Sequence, residues 1–245
     1  MSRHVLQFAA ALGAVVGFLA WDGSSRSAGS NTAGTPDLGV DVATISPVID
    51  HPYVPFATLK RAVYEGKERD PETGKAVKKR VEVTVRDTAE TVAGVRVTVV
   101  EVQGYEDGEL VERTLDYYAQ DAAGVVYYLG ETVEDIENGQ VVGNEGQWMA
   151  GHGGARAGVF MPRVLEVGTA FEQERAPGVA EDRAKVVAVG KTVKVRAGSY
   201  GDCIETEDHD PIGKSTMRKV YAKGVGLVRE TSPWSSLELV TREAR

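Results

Sequence analysis

The chain has 245 residues, 42% of them hydrophobic and 26% charged, enough to bury a sizeable core as one large all-β domain or two smaller ones. Its net charge of -8 argues against duplex nucleic acid or an anionic membrane surface as the main partner, because both reward a basic patch. A single cysteine, Cys203, excludes an intrachain disulfide and, lying in a strand-like run, reads as a small buried hydrophobe.

The first element differs in kind from the rest. Arg3 and His4 form a short basic head, and Val5 to Ala20 is almost wholly apolar. That run is short for a spanning helix and fits the apolar region of a secretory signal or an N-terminal anchor over residues 1–21. Residues 22–49 are expected to be a flexible linker, since Ser, Gly, Thr and Ala dominate its first half without a period. Asp50-His51-Pro52-Tyr53-Val54-Pro55-Phe56 carries two prolines and reads as an extended segment whose aromatics pack across the end of a sheet. A single antiparallel β domain is placed over residues 50–245.

Strand signals then follow one another. Thr58 to Gly66 comes first, and Asp70-Pro71-Glu72-Thr73-Gly74 supplies a turn. Val81, Val83 and Val85 share one parity, as do Val95, Val97 and Val99 within a strand predicted over Thr91–Gln103. Glu106-Asp107-Gly108-Glu109 and Glu137-Asn138-Gly139-Gln140 are hairpin turns, each with a glycine suited to positive φ. Between them lie strands over Leu110–Gln120 and Val125–Glu131. Trp148 sits at a strand end before the glycine-rich loop Gly151-His152-Gly153-Gly154-Ala155-Arg156-Ala157-Gly158. Further strands are predicted from Val167, over Arg183–Val189, Thr192–Val195, Asp202–Asp208, Ser215–Tyr221 and Leu227–Thr231, and finally over Leu237–Arg242. Turns every eight to twelve residues favour an antiparallel curved sheet or open half-barrel, so the fold class is mainly β.

Several short blocks carry a resemblance. They are Tyr64-Glu65-Gly66, Tyr118-Ala119-Gln120-Asp121 with Gly124, Tyr128-Leu129-Gly130-Glu131, and Tyr221-Ala222-Lys223-Gly224-Val225-Gly226-Leu227-Val228. With Met161-Pro162 and Gly178-Val179-Ala180-Glu181-Asp182, they make the chain resemble a family of secreted or lipoprotein-like bacterial β-rich proteins. The resemblance covers roughly residues 50–240. It implies an extracytoplasmic β protein and implies no reaction. This sequence departs from a lipoprotein in lacking a cysteine placed to carry a lipid. The closing Gly-Val-Gly-Leu-Val strand is also similar to the ends of curved-sheet envelope proteins that handle lipids or outer-membrane assembly.

Candidate binding residues come from the aromatic pairs and the loop. Tyr117-Tyr118 and Tyr127-Tyr128 fall on consecutive strands, so alternation turns one tyrosine of each pair inward and one outward. The outward ones could line a ligand face through ring stacking or O–H contacts, with Tyr118, Tyr128 and Trp148 as the candidates; the alternative is cross-strand aromatic pairing that stabilises the hairpin. His152 and Arg156 are candidates because glycines let a ligand approach the backbone, and a guanidinium pairs with carboxylate or phosphate. Asp208, His209 and Asp210 form an oxygen-rich segment before Pro211 that could take a divalent cation such as calcium, provided the turn folds alternating side chains together; zinc would need His209 with His152 or His51. No spacing matches a metal motif, no cofactor is predicted, and no nucleophile elbow is present.

The sequence therefore leads to a non-enzymatic extracytoplasmic protein, secreted, periplasmic or envelope-associated. It holds an apolar or amphipathic small molecule, or an envelope protein, in a concave sheet, and no nucleic acid. It meets the membrane only through the N-terminal segment. An extracellular hydrolase using His152, His209 and nearby carboxylates is the alternative, and a self-assembling envelope protein is a third reading.

Overall fold

A computed structural model describes residues 38–69 and 73–245. The expected signal or anchor helix and the first part of the linker lie outside the described residues. The strands are β1 (Ile45–Ser46), β2 (Leu59–Arg69), β3 (Ala76–Val85), β4 (Glu90–Val92), β5 (Val95–Glu106), β6 (Glu109–Asp121), β7 (Val126–Glu137) and β8 (Gln140–Gly143). They continue as β9 (Trp148–Met149), β10 (Gly158–Met161), β11 (Ala170–Glu172), β12 (Arg183–Val195), β13 (Gly198–Asp210), β14 (Ser215–Ala222), β15 (Gly226–Thr231) and β16 (Ser235–Ala244). Helical structure among the described residues is limited to two single 3-10 turns, at Val42–Thr44 and Phe56–Thr58. No helix among them is long and apolar enough to cross a membrane.

All the strands join one antiparallel sheet. Its path runs β10, β7, β6, β5, β3, β2, β16, β15, β14, β13, β12, β11, with β1, β4, β8 and β9 attached at the sides. Most connections are hairpins, as alternating segments with tight polar turns require. At the β5–β6 turn, Asp107 and Gly108 have φ of 49° and 97°; at β7–β8, Asn138 and Gly139 have 52° and 76°. Two consecutive positive φ values match the right-handed strand twist, which is why these dipeptides were legible as turns.

Several boundaries differ from the sequence expectation; β7, for example, runs on to Glu137 and β13 begins at Gly198. The strand predicted over Thr91–Gln103 is broken by a turn at Ala93 and Gly94, so β4 folds back on β5. The two strands predicted over Arg183–Val195 are one strand, β12, whose register against β13 shifts at several bulges. The ordered domain also begins before Asp50. Leu38 and Ile49 are buried in the core, and Ile45 and Ser46 pair with Asp121 and Gln120. The apolar residues in this part of the expected linker bind it to the sheet.

The sheet curls so far that its concave face becomes the core. Inward-facing Val81, Val83 and Val85 on β3 meet Val100 and Val102 of β5 and Tyr64 of β2. The Pro52–Pro55 segment plugs one end: Ile49, Val54 and Phe56 are buried, and the Phe56 ring lies 5.3 Å from that of Tyr118. Gln120 pins this plug, its Oε1 accepting the N–H groups of Asp50 and His51 at 3.1 and 3.0 Å. Cys203 is buried, in agreement with its reading as a small hydrophobe.

The sheet is not closed into a barrel, yet its two ends are brought side by side. The Arg156 N–H donates to the Arg175 carbonyl at 3.0 Å, an isolated bridge between the segment before β10 and the segment after β11. A Cβ added at Gly158 would lie 1.9 Å from the Gln173 carbonyl oxygen. Only glycine allows the backbones to approach this closely. We call this junction the seam.

Candidate functional site

The expected aromatic candidates come together, but inside the molecule. Tyr118 and Tyr128 are cross-strand neighbours on β6 and β7, and their rings stack with centroids 4.7 Å apart. Trp148 stands edge-on to Tyr128 at 5.4 Å, and Phe160 of β10 lies edge-on to Tyr118 at 4.9 Å. All four are buried, so they fill the concave face and offer no open aromatic strip.

Parity carries a second set of residues inward with the tyrosines. If Tyr118 faces in, so do Asp116, Thr114 and Glu112 on the same strand. Asp116 is fully buried and pairs across the ladder with buried Glu131 of β7. The hydroxyls of Thr114 and Tyr118 donate to the two oxygens of Asp116 at 2.6 and 3.2 Å. Burial raises the Asp116 carboxyl to about 7, even though these hydrogen bonds favour its charged form. Glu112 rises to about 8, through burial and then the nearby charge of Asp135. Glu131 is held well above the usual carboxylate range by burial, Asp116 and Glu174.

Glu174 joins this acidic interior to the surface. It follows β11, where Ala176-Pro177-Gly178 ends the extended run and the chain doubles back. The N–H groups of Gln173 and Glu174 both donate to the Asp182 carbonyl, at 2.7 and 3.2 Å. The Gly178 N–H donates to a Glu181 carboxylate oxygen at 2.9 Å. This closed loop fixes Glu174 with only 2% of its surface exposed and neither carboxylate oxygen hydrogen-bonded. Its carboxyl is raised strongly, by burial first and then by Asp182, with Lys219 opposing.

Outside Glu174 the seam opens into a cleft of about 400 Å³. Arg156, Arg175 and Arg183 line it together with Glu172, Glu174 and Glu181. Arg175 pairs with Glu172 at 3.4 Å, and both side chains are substantially exposed. The cleft is therefore bordered by both charge signs, with Arg156, singled out from the glycine loop, on its wall. A second cavity of about 580 Å³ lies between β6–β7 and the β8 hairpin, where Arg113 and Leu115 face Val141 and Val142.

The remaining candidates do not converge. His152 is on the exposed tip of its loop, which is closed by backbone hydrogen bonds among residues 149–155. His209 is exposed on β13, while its neighbours Asp208 and Asp210 are buried on the opposite face. The turn at Pro211 does not fold the three together. Asp208 pairs with buried Lys219 at 3.1 Å, and Asp210 Oδ1 accepts the N–H groups of Ile212 and Gly213 at 2.8 Å each. His51 belongs to the plug, where its Nδ1 accepts the Tyr53 N–H and burial lowers its pKa. Among the described residues, no group of three His, Cys, Asp or Glu side chains is arranged to hold a metal ion.

Glu112, Asp116, Glu131 and Glu174 were not singled out from the sequence. The signal available for the first two was the alternation that turned Tyr118 inward. For Glu174 no local signal existed, since its position depends on two sheet ends distant in sequence. Comparison with family models, curated proteins and solved structures finds no match to this chain.

Proposed function

We propose that this chain is a non-enzymatic binding protein working outside the cytoplasm, and that it holds the charged group of an amphipathic small molecule or of an envelope partner in the seam cleft. The observation that carries this reading is the cleft itself: three arginines and three glutamates around one opening, where the ends of the sheet meet. The concave face, the first place to look for a ligand, is occupied by the protein's own aromatic stack and carboxyls. Apolar surface is available near the same strands, since Val164 and Val167 are exposed on the connection between β10 and β11. The basic head and apolar run of the first twenty residues support the extracytoplasmic location.

Native mass spectrometry of the protein purified from its natural source tests the proposal. Wild type should carry a bound mass that an Arg156→Ala/Arg183→Ala double variant loses. A bare wild-type chain under gentle ionisation, or an adduct that survives both substitutions, would count against the seam.

A further inference from the structure

Building on the seam reading, the geometry points to a cationic group on the ligand: we propose that Glu174 receives a protonated amine or guanidinium entering the cleft. Glu174 borders the opening, yet its two carboxyl oxygens are sealed from water and meet no hydrogen-bond donor. A buried carboxyl without partners is costly, and native structures rarely keep one without a use. A turn of the side chain toward the opening would bring the carboxyl to an arriving N–H donor, which would satisfy it.

The surroundings favour a cation over any other donor. On the inner side, Asp116, Glu131, Asp182 and Asp210 act on Glu174 or on one another and Lys219 is the cation that opposes them, while Arg156, Arg175 and Arg183 line the cleft outside. Lys219 is itself committed to Asp208. The interior thus holds more acids than cations around Glu174, the buried one of the three glutamates that line the cleft. Arg156 and Arg183 on the outer wall then suit an anionic group further along the same ligand, whereas a purely anionic ligand would have to approach the acid cluster.

Two amphiphiles with the same tail and opposite heads separate the possibilities: octylammonium and octanoate, each titrated calorimetrically below its micelle concentration. Octylammonium should bind wild type and weaken by roughly tenfold or more in Glu174→Gln, the scale of a lost charge-assisted hydrogen bond. Its affinity should rise with pH, because the incoming cation displaces the proton that burial favours on Glu174. Equal binding by wild type and Glu174→Gln, or binding of octanoate alone, overturns the charge assignment and leaves the seam standing. If neither amphiphile binds and the native protein carries no adduct, the seam reading itself fails. Circular dichroism of Glu174→Gln checks that it folds; should it not, Glu174→Asp and the wild-type pH series carry the test.

Discussion

Asp116 and Glu112 keep their protons into the neutral range because the curled sheet takes them out of water, and at Glu112 the opposing charge of Lys79 does not offset burial and Asp135. A carboxyl whose folded pKa lies above its unfolded value stabilises the fold fully only below the unfolded value, and that contribution disappears as pH rises through the folded one. For Glu112 the window runs from about 4.5 to about 8. The thermal midpoint should therefore fall as pH is raised across this range, by an amount equivalent to a few kcal/mol at most for one such group. Glu112→Gln should flatten the slope and raise stability at the alkaline end; a calorimetric pH series on both proteins checks it. A midpoint that climbs steadily with pH would contradict the buried acidic interior. At this scale the sequence was partly legible. Alternation gave one tyrosine of each pair to the inside without saying which; Tyr118 and Tyr128 are buried, and Tyr117 with them. The acids Glu112 and Asp116 share the parity of Tyr118, but polar residues usually face water and gave no sign of burial. Asp208, His209 and Asp210 were legible only as a cluster in sequence, and a strand separates such neighbours onto two faces.

At the scale of elements, the hairpins with Asp107-Gly108 and Asn138-Gly139 were readable because their backbone demands special residues. The turn at Ala93-Gly94 was not. An alanine at φ 48° gives no compositional warning, and the change of parity between Val92 and Val95 is carried by too few residues to stand out. Glycines inside strands carried a different message, that of close approach. At Gly158 an alanine would drive its Cβ into the Gln173 carbonyl, and at Gly130, with φ 125°, into the Trp148 carbonyl at 2.4 Å. Gly158→Ala should cost about 1–3 kcal/mol, typical of overpacking, and should loosen the seam. Denaturant unfolding measures the cost. The same substitution at Gly139, whose Cβ would meet nothing, supplies the contrast between steric clash and the strain of positive φ alone.

For the whole molecule, the seam is where the two ends of the path cover one another without a continuous ladder. That arrangement shields the end strands from pairing with other chains and leaves the junction held by few hydrogen bonds. Amides at the seam, including Arg156, should exchange with solvent sooner than those of β5 and β6, which are paired on both sides. Hydrogen exchange followed residue by residue tests this, and a seam as protected as β5 would contradict it. By itself the sequence determined the β class, the antiparallel hairpins and most of the turns, because period-two alternation and turn chemistry are local properties. Only the tertiary structure decided that the concave face is filled, that residues 38–49 belong to the domain, and that Glu174 sits between a buried acid cluster and an arginine-lined cleft. Those facts depend on how far the sheet curls, a sum of small twists and bulges over its strands, and no short stretch of residues encodes that sum.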